Sequence, residues 1–279
     1  MTRAAREPLP PEREVLAAPV ALAGSGHLGL VTGLLKEAPG WTTALASDGA
    51  RYYTSPCQRI RISHNSPPLH AYEPAARETG WKIAYSDQPL YGPSWMAFFG
   101  RETPGEIVHA VVRRLVRGDP ERFLDGDNHA APDSTLADHG WSKRHTPGWD
   151  WSQDTWLSPD DHTSVTSLHG DTYAAEQLRD NEPGSWILRG YTAPDAGSLW
   201  RTDFTEGTPA HLINQALAVL TDPAPVRRSR QHLPSLSLPY LTTKDLPAEH
   251  TRPVPPRAAT ASRTPPPPPA GPGSTRPRR

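Results

Sequence analysis

The chain is poor in the residues from which cores and chemical sites are usually made. It has one cysteine in 279 residues, Cys57, so an internal disulfide is excluded and a reducing cytoplasm is the expected setting. Methionine occurs twice and phenylalanine four times, and apolar residues make up only 35% of the chain. No apolar run approaches the roughly 18 residues that a membrane span needs, and the opening "MTRAAREPLPPEREV" lacks the apolar core of a secretory signal. No membrane partner is expected. Sites with strict sequence signatures are missing too: there is no HExxH, no paired CxxC, no GxSxG elbow and no SxxK.

What the chain has in excess is proline, 34 residues, and a hidden division of charge. The net charge is −1, yet Pro223–Arg279 holds ten Lys/Arg against Asp245 and Glu249, which leaves the preceding residues strongly acidic. That last segment also contains 15 of the prolines, including the run Pro265–Pro269. It is predicted to be a disordered, basic, proline-rich tail over 223–279, because it cannot bury enough apolar surface to offset its ordering entropy. Residues 1–16 are predicted to be a disordered lead-in.

Between these ends the sequence repeats itself. "WKIAYSDQPLYGPSWMAFFGRETPGEIVHAVVRRLV", from Trp81, aligns without gaps on "WILRGYTAPDAGSLWRTDFTEGTPAHLINQALAVLT", from Trp186, at an offset of 105. "TSPCQRIRI", from Thr54, answers "LSPDDHTSV", from Leu157, at 103, and "GWTTALASD", from Gly40, answers "GWSKRHTPG", from Gly140, at 100. Six of the nine tryptophans fall in these pairs. The expected organisation is therefore two copies of one module, 17–118 and 119–222.

Each copy reads as α-β-β-β-β-α. The first has a short helix at "LVTGLLKEA" and strands near Trp41–Ala46, Arg59–His64, "WKIAYS" and "SWMAFF", alternating in polarity at period two except in the last. A longer helix follows. Thr103 is its expected N-cap, Pro104 its first residue and Glu106 the closing half of a capping box, with Ile107, Val108, Val111, Val112 and Leu115 as its apolar stripe. The predicted class is α+β: two four-stranded antiparallel sheets, each with a short N-terminal and a longer C-terminal helix packed on one face. Met96 and Phe98 stand where the second copy has Arg201 and Asp203, so this apolar surplus is predicted to mark where the two modules pack together.

The Ser-Pro turns, Ser55-Pro56-Cys57-Gln58 and Ser158-Pro159-Asp160-Asp161, each precede a strand, a pair of tryptophans, a "TP" and a helix. With "LAGSGHLGLVTGLLKEAPGW", this arrangement resembles the SPDY-motif family, a domain of unknown function known from actinobacteria that often occurs twice per chain. Tyrosine is replaced by Gln58 in the first copy and by Asp161 in the second. The resemblance implies the duplication and the boundaries near 18 and 221, and it implies no activity.

Several patterns invite chemistry. "GSGHLG", Gly24–Gly29, is a G-x-G-x-x-G ahead of a helix, with Asp48 near the spacing of a ribose-binding acid; the antiparallel setting favours a plain turn, and no cofactor is expected. Asp160, Asp161, His162 and His169, with His129, His139 and His145, offer oxygen and imidazole groups without the spacing of a metal site, and Asp125–Asn128 lacks the rest of a calcium loop. No metal is expected, and Ser158-Pro159-Asp160 reads as turn chemistry. Trp149 and Trp151 have no counterparts in the first copy and are candidate stacking residues, whereas Trp156 aligns with Tyr53 and belongs to the core. In the tail, Arg276, Arg278 and Arg279, with Arg227, Arg228 and Arg230 upstream, are candidates for contact with phosphates or an acidic partner. The functional expectation is a non-catalytic, intracellular binding protein whose partner is a macromolecule, protein or nucleic acid. The alternatives are an enzyme using an inter-module cleft, or a neutralising partner of another intracellular protein.

Overall fold

A computed structural model describes residues 13–27, 29–66, 79–89, 91–118, 131–148, 151–170, 185–193 and 196–246. The first copy contributes α1 (Gly29–Glu37), β2 (Thr42–Leu45), β3 (Arg51–Thr54), β4 (Ile60–His64), β5 (Thr79–Tyr85), β6 (Trp95–Gly100) and α2 (Gly105–Arg117). The second contributes α3 (Pro132–Asp138), β7 (Ser142–Pro147), β8 (Trp151–Leu157), β9 (Thr163–Gly170), β10 (Trp186–Gly190), β11 (Trp200–Phe204) and α4 (Ala210–Thr221). Outside the copies, β1 (Glu14–Ala18) is flanked by β12 (Val226–Ser229) and β13 (Thr242–Asp245) in a three-stranded sheet.

The expected α+β pair of four-stranded sheets is overturned. All ten strands of the two copies form one antiparallel sheet in the order β2-β3-β4-β5-β6-β11-β10-β9-β8-β7, and the described architecture is mostly β. Each copy supplies five strands, because Arg51–Thr54 and its counterpart Trp151–Leu157 pair in the ladder as well. The signal for β3 lies just before it in Asp48-Gly49. Asp48 Oδ1 accepts the Ala50 N–H at 2.9 Å, and Gly49 turns the chain at φ +87°, so the candidate ribose ligand is a hairpin residue.

The strand registers carry the sequence offsets. Trp81 faces Phe99 as Trp186 faces Phe204, His64 faces Trp81 as Ser167 faces Trp186, and Arg51 faces His64 as Asp154 faces Ser167. The copies meet at β6 and β11, where Phe99 faces Thr202, Phe98 faces Asp203 and Ala97 faces Phe204. Swapping each residue for its counterpart returns the same set of pairs, so Phe98 and Asp203 sit on a local two-fold axis. Thr205 seals one end, its hydroxyl lying 2.7 Å from Met96 N, and at the other end Thr103 Oγ1 donates to Arg201 O at 3.2 Å. Met96 and Phe98 do lie in the junction strand, and both are buried. The junction itself is a backbone ladder rather than two apposed sheet faces.

One core serves both copies. Tyr53, Ile60, Ile62, Trp81, Ile83, Tyr85, Trp95, Ala97 and Phe99 join Trp156, Val165, Leu188, Trp200 and Phe204 on the face covered by the helices. The α2 stripe predicted from sequence is buried there, beside Leu212, Ile213, Ala216 and Leu217 of α4. Each fully buried Val, Leu, Ile or Phe among them contributes about 1.5–3 kcal/mol. The helix starts differ from the expected capping box: Pro104 and Pro209 occupy the N-cap positions, and the Thr103 hydroxyl reaches across to the second copy.

The expectation of disorder from residue 223 is corrected for 223–246. There β12 and β13 bracket β1, and the small core formed by Val15, Ala17, Ala23 and Leu233 lies beneath them. Short strands such as "VRRS" and "TTKD" carry little apolar signal of their own, and prolines on either side masked them.

Candidate functional site

Between α1, α2 and the ends of β4 and β5 lies a cavity of about 230 Å³, lined by Ser25, Val31, His64, Asn65, Gly80, Trp81, Arg101, Thr103, Gly105 and Val108. Its roof is the glycine-rich loop. Ser25 O accepts the Gly105 N–H at 2.9 Å, and a Cβ on Gly105 would stand 2.7 Å from that oxygen, so only glycine admits the contact. Gly26, at φ +64°, faces the Arg228 guanidinium, which a Cβ would approach to 2.7 Å.

Arg228 holds this roof in place. Buried to 3% exposure, it donates from Nε to Ala23 O at 3.0 Å and from Nη2 to Gly24 O at 3.1 Å, and it forms a bidentate pair with Glu106 at 2.7 Å on both arms. Glu106, expected to close a capping box, instead neutralises this arginine. Within the G-x-G-x-x-G, Gly26 is thus fitted to a side chain of the same protein and Gly24, at φ +74°, packs on Pro234, whereas a Cβ on Gly29 would meet nothing.

The cavity wall is aromatic and its rim cationic. The His64 ring lies 4.5 Å from the Trp81 ring, and Tyr53 stacks on Trp81 from further in at 6.4 Å. Burial holds His64 below its ordinary pKa, and the charges of Arg51 and Arg101 lower it further. Among the described residues no carboxylate lines the cavity. Arg51 and Arg101 are exposed, and neither forms an ion pair among the described residues.

The corresponding place in the second copy has the opposite character. Arg51 becomes Asp154, Arg101 becomes Glu206, His64 becomes Ser167 and Gly105 becomes Ala210. Asp154 is enclosed by Lys143 at 2.8 Å, His145 at 2.7 Å and His169 at 3.4 Å. Hydrogen bonds from Lys143 and then His145 depress its pKa to about 2. Lys143 also reaches Asp133 at 3.1 Å and lies 5.2 Å from the Trp156 ring centre. These charges are spent on one another. Among the described residues no cluster of three or more His, Cys, Asp or Glu is placed to hold a metal ion.

The other candidates are scattered. Trp149, Arg276, Arg278, Arg279, His129 and Asp125–Asn128 lie outside the described residues; Trp151 opens β8, with only its backbone described. Trp156 is buried in the core. Arg227 pairs with Glu14, and Arg230 lies 3.5 Å from Asp245, so the upstream arginines of the tail serve the fold. His139 is held to Thr135 O at 2.8 Å.

Asp160 and Asp161 are exposed on the β8–β9 hairpin rather than gathered in a cleft. Ser158 Oγ accepts the Thr163 N–H at 2.9 Å and donates to Asp160 Oδ1 at 2.6 Å, while Asp161 takes the left-handed φ of +58°. Ser55 Oγ accepts the Ile60 N–H at 3.0 Å and Gln58 takes φ +59° in the same turn of the first copy. The Ser-Pro motif is hairpin chemistry in both. Sequence reading missed His64, Arg51 and Arg101, which comparing charge at aligned positions of the two copies would have found. Arg228 was a candidate for an external anion and is instead bonded to Ala23, Gly24 and Glu106.

No helix among the described residues is long and apolar enough to cross a membrane. Neither the curated proteins nor the solved structures compared with the chain give a match. The model of one family matches twice, over residues 54–121 and 157–226. These spans begin at the two Ser-Pro turns and run through the second closing helix, the segments that the registers make equivalent. The chain carries two tandem copies of the SPDY domain, a domain of unknown function (DUF317).

Proposed function

We propose that this chain is a non-catalytic intracellular binding protein whose first copy presents the recognition site, while the second copy completes the sheet that supports it. The observation that carries this reading is the inversion of charge between equivalent places: Arg101 lining the cavity and Arg51 paired across the ladder with its His64, against Asp154 and Glu206, of which Asp154 is already neutralised by its neighbours. Exposed cations at and beside a sheet ladder, without an ion pair among the described residues, suit an anionic macromolecule, either an acidic protein surface or a nucleic acid. The basic tail, with Arg276, Arg278 and Arg279, is an auxiliary contact in this reading, and Trp149 and Trp151 are stacking positions. The single cysteine supports a cytoplasmic setting.

The test is salt elution of the full-length chain from immobilised single-stranded DNA and from immobilised polyglutamate. The double substitution Arg51→Glu, Arg101→Glu is expected to lower the eluting salt on the matrix that mimics the partner. Replacing Arg276, Arg278 and Arg279 by serine is expected to shift it less and alike on both matrices. Unchanged elution of the double variant on both would refute the reading.

A further inference from the structure

We propose that the first-copy cavity is a binding site for a small organic anion, a carboxylate or phosphate group attached to an apolar body about the size of one ring. This rests on the reading of the first copy as the recognition site and gives that site a ligand chemistry. The volume, about 230 Å³, exceeds the roughly 30 Å³ share of a water molecule several times over, so a lone hydrated ion would leave most of it unfilled. The lining combines apolar groups, Val31, Val108 and Trp81, with Arg101 and His64, which can meet an anionic head, and with the polar residues Ser25 and Asn65. The His64 ring lies 4.5 Å from that of Trp81, so the charged and apolar parts adjoin. A guanidinium pairs with either kind of head through two parallel hydrogen bonds.

The second copy shows why the site is confined to the first. Glu206 replaces Arg101, Ser167 replaces His64, and the Arg228-pinned glycine loop has no counterpart in the aligned sequence. Ala210 stands where Gly105 admits the Ser25 carbonyl.

Protonation follows from the surroundings of His64. Arg51 faces it from β3 and Arg101 from the end of β6, while Ser25, Val31 and Val108 bring no charge from the loop and helices. In the free protein the imidazolium is therefore disfavoured. An anion seated beside it favours the imidazolium and raises its pKa. Affinity is expected to increase as pH falls through and below the ordinary histidine range.

Titration calorimetry on the full-length chain with phenyl phosphate and benzoate tests this, with phenol and inorganic phosphate as half-probes. At least one of the first pair is expected to bind saturably, at least tenfold tighter than either half-probe and more tightly at pH 5.5 than at pH 7.5. Arg101→Gln, an exposed position, is expected to weaken that binding at least tenfold, His64→Gln to remove its pH dependence, and Glu206→Gln in the second copy to leave it unchanged. No saturable binding of phenyl phosphate or benzoate, binding indifferent to Arg101→Gln, or inorganic phosphate binding as tightly would each overturn the proposal. If elution responds to Arg51→Glu, Arg101→Glu while no probe binds, the cavity proposal alone fails. If the probes bind and elution is unmoved, the macromolecular reading fails instead.

Discussion

The two copies have the same ladder and the same turns, and they differ most where a side chain of one must be accommodated by something outside it. In the first copy Tyr85 stacks on Trp95 with ring centres 5.5 Å apart, a pair that closes its own core. In the second, Gly190 replaces that tyrosine, the Trp200 indole lies over the glycine, and its Nε1–H donates to Ala21 O at 2.7 Å. The second copy thus reaches into the segment preceding the first for its last hydrogen bond. Likewise Arg228, which follows the second copy, builds the roof of the first. Duplication preserved the frame, and the differences became struts between the halves and a cationic rim on one of them.

The sharpest way to break the comparison is Arg228→Ala. It leaves Glu106 without its partner and the Ala23 and Gly24 carbonyls without their donor, and about 3–5 kcal/mol of stability is expected to be lost in urea unfolding. Gly190→Ala is expected to cost about 1–3 kcal/mol, because the new methyl group falls within the Trp200 ring. The equivalent Tyr85→Phe, which keeps the ring stacked on Trp95, is expected to change stability by less than about 1 kcal/mol, so the asymmetry between the copies becomes a measured difference.

The shared frame predicts a matched pair. Ser55→Ala and Ser158→Ala each remove the acceptor of one hairpin N–H, at about 1 kcal/mol each, and the two values should agree within about 0.5 kcal/mol. A clear disagreement would show that Asp160, which accepts from Ser158 and from the His162 N–H where the first turn has Cys57 beside Ser55, adds to the second turn.

One effect is confined to acid and absent at neutral pH. Asp154 is depressed below its unfolded pKa, so its contribution is fully present above about pH 4 and is lost as pH falls towards about 2. Asp154→Asn is expected to flatten the wild-type loss of stability in that window, read as the unfolding midpoint against pH. An identical slope in the two proteins would place the acid sensitivity elsewhere.

Much of the frame was legible because aromatic residues mark strands by spacing alone: Trp41, Trp81 and Trp95 recur as Trp141, Trp186 and Trp200, and the offsets between them reappear as ladder registers. The fusion of the copies was not legible. Backbone pairing between β6 and β11 uses N–H and C=O groups that every residue carries, so the doubly apolar strand told of burial and not of its direction. The cavity was obscured for another reason. His64, Arg51 and Arg101 are far apart in sequence and meet only through the registers of β3, β4 and β6. Composition also misled at the C-terminal side, where ending the chain at Thr221 would delete β12 and Arg228 along with the proline-rich residues.

The seam at Phe98 and Asp203 joins two parts of one chain, and a second molecule of the same sequence offers the same β11 edge in the same register. Two molecules could open this ladder and close it crosswise, each first copy taking the other's second, with every inter-copy hydrogen bond regained. Concentrated protein that has been partly unfolded and returned to native conditions is therefore expected to contain an exchanged dimer, kept apart from the monomer by the barrier to reopening β6 from β11.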